Sequence, residues 1–147
     1  MRSITFIAIF FVAASIMAQG WRGNGGQGWG RKSDYIRNYD PRTVETLSGT
    51  IVDVQPFTPR KGMSNGLHMT LKTDKGAVDV HLGPAWFLDN QDIELNAGDA
   101  VSVEGSRVTF GNSPAIIAAR IVKGDDTLVL RDNDGTPVWN AWRRKGR

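Results

Sequence analysis

Between residues 67 and 82 the chain alternates apolar and polar side chains twice, with a turn between. Leu67, Met69 and Leu71 alternate with His68, Thr70 and Lys72; after Asp74-Lys75-Gly76, Val78, Val80 and Leu82 alternate with Asp79 and His81. A period of two puts every apolar side chain of a strand on one face, whereas a helix would scatter them round its circumference. The Asp-Lys-Gly interruption is a hairpin signal. A sheet face made this way must be buried against more of the same chain.

The remaining segments supply further strands. Val44 to Val54 holds Leu47, Ile51 and Val54 among β-branched residues and ends at Pro56; Gly83-Pro84 stops the third strand. Residues Pro84 to Leu95 start with proline and have a helix-compatible composition, which predicts one short helix there. Val101 and Val103 alternate before Gly105, Val108 to Phe110 forms a second run, and Gly111-Asn112 turns the chain. Ala115 to Val122 and Leu128 to Leu130 complete the set, separated by Gly124-Asp125-Asp126. Three strands, a short helix and two strands is the order of an all-β, five-stranded OB-fold-like Greek-key barrel, with the helix plugging one end. Glycines at 49, 105 and 124 suit the sharp bends that so small a barrel needs. A six-stranded barrel of another topology is the competing architecture.

The two ends of the chain differ from this body. Arg2, the apolar run Ile4 to Ala14 and the small residues from Ser15 to Gly20 follow the order of a secretory signal peptide. The run is too short to span a bilayer comfortably and no second one follows, so residues 21–147 are expected in the periplasm or secreted. Trp21 to Gly30 has five glycines in ten positions, a composition for a flexible arm. The partition expected is signal 1–20, arm 21–38, barrel 39–139 and basic tail 140–147. With no cysteine, disulfides, thiolate metal sites and cysteine nucleophiles are excluded. The formal net charge is +3, yet residues 33–142 hold ten Lys and Arg against fifteen Asp and Glu, a net of −5. The body is acidic and only its ends are basic, which argues against a barrel wall built to hold phosphate.

Tyr39-Asp40-Pro41 with Thr43-Val44-Glu45-Thr46, then Val80-His81-Leu82-Gly83-Pro84-Ala85-Trp86-Phe87, carry a family likeness. It continues through Gly98-Asp99, Gly105-Ser106-Arg107-Val108, Pro114 to Ala119, and Leu130-Arg131-Asp132 with Gly135 and Pro137-Val138-Trp139. From about Tyr39 to Arg144 the chain resembles a family of small exported bacterial OB-fold proteins of unknown function, often labelled DNA-binding by similarity. It is similar, more loosely, to the periplasmic bacterial OB-fold (BOF) proteins. The resemblance implies fold and compartment, and brings no reaction, ligand or cofactor with it.

The inventory for catalysis is thin. His68 and His81 are the only histidines, both at outward positions of adjacent strands. Keeping the apolar residues on one face requires pairs whose numbers sum to an odd value. A sum of 149 sets His68 opposite His81 and Asp79 opposite Thr70, a possible surface metal site; 151 sets His81 against Thr70 and Asp79 against Lys72. Gly76, late in the turn, favours 151. Asp89, Asp92 and Glu94 surround the helix as a solvated face, and Asp132-Asn133-Asp134-Gly135 reads as a turn, lacking the downstream Glu of a calcium loop. No P-loop, GxSxG or HExxH occurs. No enzyme and no cofactor are therefore expected.

Binding has better support. Phe57, Arg60 and Lys61 belong to the loop between strands one and two, which OB-folds often use for ligands. Trp86 follows the third strand, and Trp142, Arg143 and Arg144 begin the tail. These seven are the expected contacts, although Trp86 and Trp139 are better suited to closing the barrel ends as core. The expected function is an exported, non-catalytic binding module for an envelope protein or ligand. A nucleic-acid binder using loops and basic ends is the alternative, and a weak metal binder through His68 and His81 the third.

Overall fold

The alternation of residues 67–82 becomes an antiparallel hairpin at the centre of a closed barrel. A computed structural model describes residues 28–30, 33–110 and 112–143, the last three by their backbone alone. The expected signal peptide, most of the Gly-rich arm and Arg144 lie outside the described residues. The strands are β1 (Val44–Phe57), β2 (Gly66–Thr73), β3 (Gly76–Pro84), β4 (Ala100–Phe110), β5 (Ser113–Lys123) and β6 (Asp126–Val129). The helix α1 (Ala85–Leu88) follows β3. Single 3-10 turns occupy Ile36–Asn38, Pro41–Thr43 and Val138–Arg143.

The sheet order is β3-β2-β1-β4-β5-β6, and a parallel pairing of β3 with β5 joins the two sides. β1 to β5 thus close into the OB-fold barrel, and β6 is an additional strand hung on the end of β5. β1 serves both halves: Val44 to Thr50 pairs with β4, and Thr50 to Phe57 with β2. To do so it must bend, and the register slips between Ile51 and Asp53, a bulge at Val52. Gly49 sits just before this bend, where an added Cβ would run into the Lys72 carbonyl. β4 is continuous through Gly105, where two separate runs were expected. The irregularity falls as a register slip between Glu104 and Gly105, and a Cβ at Gly105 would collide with the Ile117 carbonyl.

The expected alternation places the core. Met69, Leu71, Val80, Leu82, Val101 and Val103 are buried inside the barrel with Ile51, Ile116, Ala118 and Ile121. β5 is different, because five consecutive residues from Ala115 to Ala119 are buried. Ile116 and Ala118 face the barrel core, while Ile117 and Ala119 pack with Tyr39 in a second cluster on the outside. A strand covered on both faces reads as an unbroken apolar run, which is the sequence Pro114 to Ala119.

Two expectations are corrected here. The helix predicted over Pro84 to Leu95 is a single turn, Ala85–Leu88, and the chain then runs in turns and extended backbone to β4. That one turn sets Phe87 in the core beside Trp139. The hairpin register is 149, with Thr70 opposite Asp79 and His68 opposite His81. The Thr73 hydroxyl donates to the Gly76 carbonyl at 2.8 Å and accepts from the Lys75 amide at 3.2 Å, closing a two-residue turn. Gly76 has a φ of 116° as the residue paired with Thr73, one place later than the 151 register required.

Candidate functional site

The seam between β3 and β5 is short, with Val80 opposite Ile116 and His81 opposite Ile117. Around it the chain assembles its aromatic and imidazole side chains. Phe57, at the end of β1, lies 4.6 Å from the His81 ring and 4.8 Å from that of His68. Phe110, at the end of β4, is stacked on His81 at 5.0 Å and on Tyr35 at 5.5 Å. Tyr35 comes from the segment before the barrel and is wholly buried. The exposure expected for His81 is therefore corrected: on the face of β3 opposite to Val80 and Leu82 the residue is buried, because Tyr35, Phe57 and Phe110 enclose it.

A polar chain runs through these rings. The Tyr35 hydroxyl lies 2.8 Å from His81 Nδ1, His81 Nε2 lies 3.1 Å from Asp79 Oδ2, and His68 Nδ1 lies 2.7 Å from Asp79 Oδ1. The donors follow from the chemistry: an ionised carboxylate only accepts, so His81 carries its proton on Nε2 and accepts from Tyr35 at Nδ1. Burial pushes the Tyr35 phenol well above its usual range, so it remains a donor. For Asp79, burial works against ionisation. Hydrogen bonds from His81 and His68 outweigh it and hold the carboxyl below the usual range. Both ring nitrogens of His81 are thus engaged within the protein, and among the described residues no three His, Cys, Asp or Glu side chains are grouped to hold a metal ion.

Just past the seam, Arg131 closes the gap. Its backbone amide bonds to Ala119 O at 3.0 Å, and Nη1 reaches Leu82 O at 3.0 Å and also bonds Ala118 O. One guanidinium thereby ties β3 to β5 where their own ladder has ended. The group is 1% exposed and stands 5.0 Å from the Trp139 ring centroid. Burial brings it down to about 10, which leaves it protonated at neutral pH. Nε and Nη2 find no partner among the described residues. Trp139 in turn donates from Nε1 to Trp29 O at 2.8 Å, and Trp29 donates to Ser64 O at 2.9 Å. Trp29 is wholly buried and so is Tyr35, which corrects the flexible arm expected up to residue 38: by Trp29 its packed part has begun.

Of the expected contacts, Phe57 is a half-buried wedge between Trp29 and the two histidines. Arg60 and Lys61 are exposed at a turn where the Met63 amide bonds Arg60 O at 3.1 Å, and neither side chain has a partner among the described residues. Trp86 is half-buried against the core, beside Phe87. Trp142 and Arg143 end the last 3-10 turn, and their side chains lie outside what is described, as does all of Arg144. The structure therefore brings Phe57, His68 and His81 together and leaves Arg60 and Lys61 apart from them in the loop. Sequence reasoning missed Tyr35 and Arg131. The only trace of them was the unalternating run at residues 114–119, which requires a cover for the outer face of β5.

Residues 43–128 match the MamS/MamX magnetosome protein family, and since this is more than half of the chain, the chain belongs to that family. No curated protein matches it. Among solved structures it is similar to the second OB-fold domain of replication protein A from Methanococcus maripaludis, at 23% identity and a TM-score of 0.39, covering 56% of this chain and 85% of that one. It is also similar to a structure described as the molecular basis for abrogation of activation of pro-inflammatory cytokines. There the identity is 12% and the TM-score 0.36, over 69% of this chain and 50% of that one. Likenesses at this level say nothing about ligand or activity.

Proposed function

We propose that this MamS/MamX-family chain is an exported, non-catalytic OB-fold module that binds protein partners at the bacterial envelope, in the magnetosome setting that the family's name gives. One observation carries the reading. The outer face of β2 and β3, where OB-folds commonly take ligands, is covered around His81 by the chain's own Tyr35, Phe57 and Phe110. Rings that would stack bases are stacked on one another, and the acid–base groups beneath them are bonded to one another. What this leaves open among the described residues is the loop carrying Arg60 and Lys61 and the exposed part of Trp86; the sequence adds the basic Trp142-Arg143-Arg144 tail. Export is supported by the order of residues 2–20, and among the described residues no helix is long and apolar enough to cross a membrane.

Site-specific photo-crosslinking in cells tests the reading. With a photoreactive phenylalanine in place of Arg60 or Lys61, the chain should yield discrete protein adducts in the envelope fraction. A chain that is exported normally and gives no adduct from either position would remove the proposal. Sub-micromolar binding of single-stranded DNA near physiological salt by the chain from Trp21 onward would replace it with the nucleic-acid reading.

A further inference from the structure

Beside α1 and the segment that follows it lies an open cleft of about 280 Å³. Leu67, Leu82, Leu88, Ile93 and Leu128 line it together with the polar Gln91 and Asn96 and the carboxylates Asp89 and Glu94. Both carboxylates are exposed and neither makes an ion pair or hydrogen bond through its side chain among the described residues. Lys123 is the cation bonded nearby. It donates to Glu94 O at 2.7 Å and pairs with Asp99 at 3.0 Å, so it anchors the 94–99 segment without neutralising these two carboxylates. A cleft of mixed lining, with leucine and isoleucine side chains, a size suited to one bulky side chain and two unpaired carboxylates, fits an amphipathic residue such as tryptophan flanked by cations.

The same sequence contains such a segment. Trp142 is followed by Arg143, Arg144, Lys145 and Arg147, whereas residues 33–142 carry a net charge of −5. We infer that the cleft receives the Trp142–Arg147 tail of a second copy of this chain. The inference rests on the binding-module reading and adds to it a site and a partner. Two copies that exchange tails reciprocally make a closed pair, since each supplies the same donor and the same acceptor. Attraction between the basic tail and the two carboxylates brings the copies together and weakens with salt, while burial of the tryptophan ring supplies the part that salt leaves intact.

Sedimentation velocity on the chain from Trp21 onward, which contains the whole described barrel, is the test. A dimer should form at tens of micromolar at low salt and loosen on going to physiological salt. The double variant Asp89→Lys, Glu94→Lys and the double variant Arg143→Glu, Arg144→Glu should each weaken the dimer at least tenfold. Combining all four changes should restore most of the association, which a simple loss of folding could not do; circular dichroism of each variant confirms the fold. Monomers at every concentration would overturn the inference, and so would a dimer that neither charge reversal weakens. Tail docking within one chain would show as a monomer and would equally overturn the inference. The crosslinking experiment separates the two proposals: adducts at Arg60 with no self-association leave the module standing without this site, and the reverse result does the opposite.

Discussion

The flank where β3 meets β5 and the barrel end below α1 are built from the same kinds of residue and are finished in opposite ways. At the flank two residue pairs of parallel ladder are all that hold the barrel shut. The chain reinforces them with Arg131 across the strand ends, Tyr35 and Tyr39 over the outside, and the Trp29–Trp139 contact beyond. At the end, one turn of helix stands where a plug was expected, and Leu67, Leu88, Ile93 and Leu95 remain half-buried around a cleft. The barrel is sealed where its wall has the fewest ladder hydrogen bonds, and left accessible beside α1 and the irregular segment after it. That division is what makes the end, rather than the aromatic flank, a place for a partner.

The largest expected effect on this contrast comes from Trp29. It is wholly buried and joins the loop after β1 to the last 3-10 turn, so Trp29→Ala should cost about 3–5 kcal/mol in urea unfolding. A change too small to measure would mean that the segment before the barrel is only laid on it. Next comes the pair of substitutions at Arg131. Arg131→Ala removes the clip and leaves a hole, for an expected loss of about 3 kcal/mol. Arg131→Met keeps the volume and removes a buried cation with unpaired donors, and should be the milder by about 1 kcal/mol or more. Equal losses would show that the charge itself, not the filled space, holds the seam.

The comparison is sharpened by one truncation made in both places. Ile117→Ala, under Tyr39, should cost about 2–4 kcal/mol, whereas Ile93→Ala at the half-buried cleft should cost under about 1 kcal/mol. Similar values would erase the distinction between sealed flank and open end. The smallest expected effect belongs to the polar chain. Tyr35→Phe loses one hydrogen bond to His81, for about 1 kcal/mol. Asp79 adds a pH dependence of known sign. Its carboxyl is held below the usual range in the folded state, so its contribution is complete above the unfolded value, about 3.9, and is lost as pH falls through the lower folded one. The stability advantage over Asp79→Asn should shrink as pH falls below about 4. An advantage that does not change with acid would show that the two histidines do not hold the carboxylate ionised.

Much of this barrel was legible because strand faces are written in a period of two. Met69, Leu71, Val80 and Leu82 are inside as their spacing requires, and glycines at 49 and 105 lie where backbones approach too closely for a Cβ. The acidic body, the lack of cysteine and the order of residues 2–20 are likewise properties of the chain alone. What the sequence could not decide depends on partners far apart in it. Whether His68 meets His81 hinged on a one-place difference in a turn, which changes no residue's face and so leaves no trace in the apolar pattern. The burial of His81 depends on Tyr35, 46 positions away, and the closing of the seam on Arg131, whose charge marks it as a surface residue until the fold sets it just past the end of the β3–β5 ladder. Local pattern sets which face of a strand is buried; only closure of the barrel decides what is brought to cover the other face, because that is a contact between segments with no common period.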